Sequence, residues 1–263
     1  MEIHSTALID PSARIGTDCV IGPYTIVEAE VVIGAGSRLD GHVVIRRGTH
    51  LGKGVHVESF VVIGGEPQSL GFDASIESRV VIGNNVRLRE GCVIHRSTQV
   101  GGETIIGDDC YLMSQTHVAH DCILGTGVIM ASGALLGGHV VLGSRCFIGG
   151  GTGVHQFCRI GSYAIVGSLS MITVDVAPCL MVTQRNEVNG LNKVGLKRAS
   201  FDRESIKDLK ACYQGLFSSG DANLKRRAAE MLQEGACGSS ELGEQFLKFF
   251  ENGKRGFARP RND

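Results

Sequence analysis

Tryptophan is absent from this chain and proline occurs only 5 times. No apolar run approaches the roughly 18 residues that a membrane-spanning helix needs. The first residues, MEIHSTALIDPSARIG, lack a basic start followed by an apolar stretch, so no secretory leader is expected. Neither sign of charge dominates. Lys and Arg number 26 against 27 Asp and Glu, a net charge of −1. That removes the broad basic field of a nucleic-acid binder. With proline so scarce and 43% of residues hydrophobic, a disordered chain is excluded as well.

Glycine, by contrast, occurs 37 times, and the reason lies in a repeat. Aliphatic residues recur every six positions in two runs, Ile3 to Ile63 and Ile82 through Val100 to Ile172, 27 hexads in all. The next position is often glycine, as at Gly16, Gly34, Gly107 and Gly143. The fifth position is nearly always small, as at Ala7, Thr25, Thr116 and Ala164. A period of six fits neither an α-helix nor an amphipathic strand. It fits a parallel β-helix, in which each hexad forms one wall and a turn, and three walls close a coil. Stacked at the strand spacing, the hexads give about nine coils and a prism roughly 40 Å long. Glycine after the aliphatic residue is read here as permitting unusual backbone geometry.

Of the 9 cysteines, Cys19, Cys92, Cys110, Cys122, Cys146 and Cys158 share one phase of the repeat. They read as small buried residues, not as a disulfide or metal framework. A reducing cytosol is the expected setting.

The two runs are out of phase across residues 65–80, where GEPQSLGFDA (65–74) reads as a loop thrown out of the prism. The walls are expected to stop after Ile172, near Pro178. The prism domain is placed at 1–190 and a C-terminal α-helical domain at 191–263. In the latter, Ile206, Leu209, Tyr213, Leu216 and Phe217 form one helical stripe capped by Asp202, and Leu242, Phe246, Phe249 and Phe250 another. Terminal units of a solenoid need covering, and these helices could supply it.

His117, His120, His139 and His155 cluster in one stretch. His120 to His139 is one coil plus one residue, and His139 to His155 one coil minus two, so stacking brings them near one edge. A neutral imidazole can act as general base toward a sugar hydroxyl; imidazoles can also ligate zinc. Asp121 beside His120 favours the base, because a carboxylate fixes the tautomer and stabilises the imidazolium. Gly138 could offer a backbone N–H to an oxyanion.

The motifs THVAHDC (116–122), LGGHV (136–140), GVHQF (153–157), GLKR (195–198) and VIHRST (93–98) resemble those of the bacterial UDP-N-acetylglucosamine 3-O-acyltransferases, over nearly the whole chain. The resemblance implies an all-β left-handed parallel β-helix with a C-terminal α-helical domain, assembled as a homotrimer with its active sites between prisms. The activity implied is direct transfer of a (3-hydroxy)acyl chain from acyl carrier protein to the sugar 3-hydroxyl of UDP-N-acetylglucosamine, the first step of lipid A synthesis. No cofactor or metal is implied. His120 would be the base, Asp121 its partner and Gly138 the oxyanion donor. Gln68, His117, His139, His155, Gln156, Asn192 and Arg198 would bind substrate, and Ser168 would limit acyl length to no more than that of members with glycine there. Lys197, Arg198, Arg203, Lys207, Lys210, Lys225, Arg226 and Arg227 are candidates for docking the acidic carrier.

The family's usual loop Gln-Asp-Leu-Lys is Gln68, Ser69, Leu70, Gly71 here, a common glutamate is Val194, and a common arginine pair is Arg198–Ala199. These departures leave a 3-amino sugar nucleotide open as acceptor. Two further readings stay open, an acetyl-CoA-dependent enzyme of the same fold and a zinc carbonic anhydrase-like trimer.

Overall fold

The computed structural model describes residues 1–218 and 222–261. The hexads form short parallel strands, from Glu2–Ile3 to Met171–Ile172, that wind around three walls. The walls are hydrogen-bonded sheets of 12, 9 and 8 strands. Along the second wall the register holds from coil to coil above the first loop: Ile94, Val118, Leu136, Val154 and Ile172 pair in succession. Each coil thus drops one aliphatic side chain into the same place. Ile94, Val118, Leu136 and Ile172 are fully buried. The prism is a left-handed β-helix.

At several corners where the small residue is threonine or cysteine, it donates a hydrogen bond as well as saving space. Thr25 Oγ1 donates to the Asp40 carbonyl at 2.7 Å and Thr152 Oγ1 to that of Gly167 at 2.8 Å. Cys110 and Cys122 make the same contact, with the carbonyls of Gly125 and Gly137, each at 3.2 Å. All nine cysteines are buried and unpaired. Burial pushes the Cys110 thiol up to about 11 and the Cys122 and Cys179 thiols up to about 12. An aqueous disulfide reagent should therefore label no core thiol of the folded protein within minutes and all nine in denaturant. Rapid labelling of the native protein would contradict the packing.

Two expectations change here. The glycine after the aliphatic residue is not needed for its backbone angles. A Cβ on Gly34 would lie 2.5 Å from the Gly52 carbonyl carbon, and one on Gly143 2.4 Å from the Ser162 nitrogen. Glycine is required because coils touch there. The left-handed turn position is filled mostly by other residues, among them Asp18, Tyr24, Asp121 and His139. Val100 is not a wall residue either: it is 82% exposed, in a second loop between strands Val93–His95 and Glu103–Ile106.

The first loop runs between Val62–Gly65 and Arg79–Ile82. Both loops leave the prism at the corner between the second and third walls, on successive coils. Beyond the last coil an antiparallel hairpin, Leu180–Thr183 with Glu187–Leu191, closes the prism. Helices α1 (Lys193–Arg198), α2 (Arg203–Phe217), α3 (Leu224–Glu234) and α4 (Glu241–Lys248) follow. Asp202 caps α2, accepting the Ser205 N–H. Leu209, Leu216, Phe246 and Phe250 are fully buried among them. The C-terminal region is not wholly helical, because Arg259–Pro260 returns to pair with the hairpin strand.

Candidate active site

The corner that carries both loops also carries the histidines. On the three coils above the loops it presents His120 and Asp121, then Gly138 and His139, then His155, Gln156 and Phe157. Asp121, His139 and Phe157 occupy one turn position, each with left-handed φ near 60° (61, 60 and 67°). The corner geometry aligns them in a column. The His139 ring stacks on Phe157 at 4.6 Å and meets His120 edge-on at 5.2 Å.

His120 Nδ1 lies 2.7 Å from Asp121 Oδ2. Asp121 also accepts the hydroxyls of Ser97 and Thr98 and, at 3.2 Å, the Thr98 N–H. Burial opposes its ionisation, but these donors outweigh burial and hold the carboxyl below its ordinary range. An ionised Asp121 only accepts, so the His120 proton sits on Nδ1 and Nε2 carries the lone pair. That is the tautomer a general base requires. His139 is held below the usual imidazole range mainly by burial; Asp121 opposes the shift, while His120 and Lys254 reinforce it.

Gly138 is buried beneath the His120 ring, and its N–H has no backbone acceptor among the described residues. His117 lies one coil above His95, ring to ring at 5.0 Å. His95 was absent from the sequence-derived site. Its Nδ1–H donates to the Glu66 carbonyl at 2.6 Å, and its buried Nε2, like that of His117, has no partner among the described residues. Burial lowers both imidazoles, which face this corner neutral. Ser97 and Thr98, in the second loop, were missed too.

Other sequence-derived residues lie elsewhere. Gln68 is exposed on the first loop at this corner. Ser168 is exposed at the corner between the first and second walls. Asn192 is buried, its Oδ1 accepting the Gly195 N–H to cap α1 and its Nδ2 donating to the Tyr163 carbonyl at 2.7 Å. Arg198 is exposed at the end of α1. Within one chain, these last three do not join the histidine column. The nearest candidate metal ligands, atoms of His120, Asp121 and His139, lie within 4.8 Å of one another. The Asp121 oxygens in that set are already taken by hydroxyls and imidazole, which suits a base pair better than a cation.

Full-length similarity decides the family. A protein from a Sulfurihydrogenibium species, named acyl-(acyl-carrier-protein)–UDP-N-acetylglucosamine O-acyltransferase, is 48% identical over 260 residues, covering 98% of this chain and 94% of its own. The chain belongs to this acyltransferase family. A relative of the same name from Thermodesulfovibrio yellowstonii is 41% identical, with 98% and 99% covered. The UDP-N-acetylglucosamine acyltransferase structure from Campylobacter jejuni matches with a TM-score of 0.91 at 34% identity, over 99% of this chain and 100% of that one. The Acinetobacter baumannii structure gives 0.92 at 35%, over 98% and 100%. Family models agree along the chain: a GMPPB C-terminal domain over 3–102, bacterial transferase hexapeptide repeats over 103–138, and domain 2 of the UDP-N-acetylglucosamine O-acyltransferases over 175–258. No helix among the described residues is long and apolar enough to cross a membrane.

Proposed function

We propose that this acyltransferase moves a (3-hydroxy)acyl chain from acyl carrier protein to the 3-hydroxyl of UDP-N-acetylglucosamine, in the first step of lipid A synthesis. The observation that carries the reading is the His120–Asp121 contact of 2.7 Å, in a carboxylate cage built by Ser97 and Thr98. His120 Nε2 takes the proton of the sugar hydroxyl as its oxygen attacks the thioester carbonyl. The Gly138 N–H steadies the oxyanion. Collapse expels the carrier's thiolate, which takes the proton back from His120. No acyl-enzyme forms, and no group beyond the carrier's thioester is required.

His117, His139, His155 and Gln156 line the acceptor cleft, with Gln68 at its loop-side edge. Ser168, at another corner of the prism, and Asn192 and Arg198, at the two ends of α1, serve the same reaction, which supports a homotrimer in which the histidine corner of one copy faces these residues of the next. Arg198 suits a diphosphate through its planar fork, and Ser168 closes the far end of the acyl groove. The carrier docks on the C-terminal helices. There Lys197, Arg198, Arg203, Lys207 and Lys210 are exposed, whereas Arg226 and Arg227 are tied to Glu230 and Glu234. Nine unpaired thiols fit a cytoplasmic setting.

The test is direct. The protein, incubated with UDP-N-acetylglucosamine and 3-hydroxyacyl carrier proteins of graded length, should yield a singly O-acylated sugar nucleotide by mass. Acylation only of a 3-amino sugar nucleotide, or only from acetyl-CoA, would overturn the proposed substrates.

A further inference from the structure

The C-terminal tail returns to the histidine corner from nearly a hundred residues away. Its backbone is pinned just beyond Arg255: the Asp175 N–H donates to the Gly256 carbonyl at 2.9 Å, and the Ala258 N–H to that of Asp175 at 2.8 Å. The Asp175 side chain is fully buried and paired with Arg159 at 2.7 Å. Arg159 also donates to the carbonyls of Phe249 and Asn252 and lies over the Phe249 ring at 4.3 Å. So anchored, the tail sets Arg255 Nη2 3.0 Å from His155 Nδ1, with Arg255 Nε 3.4 Å from the Thr173 carbonyl. Lys254 lies 5.8 Å from the centre of the Phe157 ring, the next side chain but one in the column.

We propose that Arg255 is a positioning residue of the active site, holding His155 as the neutral imidazole with its proton on Nε2. The argument is one of donors and acceptors. A guanidinium has only N–H groups to offer, so the nitrogen it meets must accept. The Gln156 carbonyl, 3.2 Å from the same Nδ1, would favour the opposite tautomer, but that tautomer drives an N–H against a cation. Arg255 therefore decides between two arrangements the local backbone leaves in competition. His155 then acts as a fixed Nε2–H donor toward an oxygen of the substrate. This rests on the reading that His155 binds substrate.

Selective imidazole ¹⁵N labelling of the full-length protein at pH 7.5 tests the tautomer, with His155 assigned by its loss in His155→Gln. The wild type should show a bare Nδ1 and a protonated Nε2, and Arg255→Met should move the proton toward Nδ1. The same variant should lose about tenfold in kcat/KM, mostly through KM, in line with losses from partners that orient a ligand. In a His155→Gln background Arg255→Met should cost almost nothing further, an outcome a purely structural role would not give. Arg255→Lys should recover part of the loss. A protonated Nδ1 in the wild type, an unmoved tautomer in Arg255→Met, or additive losses would overturn the proposal. A tautomer that moves while KM stays put, both in Arg255→Met and in His155→Gln, would instead sink His155 as a substrate ligand, and Arg255's place in the site with it, leaving only the contact.

Discussion

Replacing His120 with alanine should reduce turnover about a thousandfold, at the middle of the range for a lost general base, while leaving the assembly folded. A sugar hydroxyl is far too weak an acid to ionise near neutrality, so its proton must leave as the carbon–oxygen bond forms. His120 has its lone pair on Nε2 because Asp121 holds the other nitrogen's proton at 2.7 Å. Nothing in the fold depends on that ring, whose side chain stays 17% exposed at a corner outside the aliphatic core. Asp121→Asn serves as the companion measurement. An amide can present its N–H to Nδ1 and drive the proton onto Nε2, so it should cost nearly as much despite its matching shape. Single-turnover rates with sedimentation or mass analysis of each variant decide the matter. A His120→Ala protein within tenfold of the wild type would remove the proposed mechanism.

The repeat was legible because burial in a prism is almost a one-dimensional rule: every sixth side chain points inward, whatever lies between. What the rule could hide is shown by the two loops. The first, below the site, throws the hexads out of phase and is visible in the sequence. The second adds six residues between Ile94 and Ile106, a whole period, with Val100 at the right spacing by coincidence. The phase survives and the loop is silent. Ser97 and Thr98 sit in that loop, so the donors that keep Asp121 ionised were hidden by the same accident. His95 stands in the VIHRST motif but was given no role, because it lies at a wall end, where its ring meets His117 only once coils stack. The histidine column itself was legible, since spacings close to one coil translate directly into neighbours. Contacts of long sequence separation were not: Arg255 reaches His155 across 100 residues, with no periodicity to announce it. The reading of glycine as backbone freedom also failed, because a sequence shows a missing side chain but not which neighbouring coil fills the space.

That last point makes Gly138→Ala the other variant of large expected effect. A Cβ built on Gly138 would lie 2.5 Å from His120 Cε1, 2.7 Å from Nε2 and 3.1 Å from Nδ1. No imidazole can stay where it is at those separations. Gly138 is not among the residues of left-handed φ, so alanine meets no backbone penalty, and the clash falls on a side chain of the neighbouring coil, not on its backbone. The ring can give way only by swinging off Asp121, breaking the contact that sets its tautomer, or by pressing into His139, already edge-on at 5.2 Å. A displacement of about 1 Å at the reacting nitrogen is worth a hundredfold or more in rate, so kcat should fall by about that factor with little change in thermal midpoint. The substitution also separates two roles of Gly138. Alanine keeps the backbone N–H, so an oxyanion donor acting alone would survive it nearly intact, whereas a floor for the His120 ring would not. A Gly138→Ala enzyme of near-normal kcat would show that the imidazole does its work away from this packed position. One that is inactive, yet regains rate when His120 is replaced by a smaller residue and free imidazole is supplied, would place the loss on the ring's displacement.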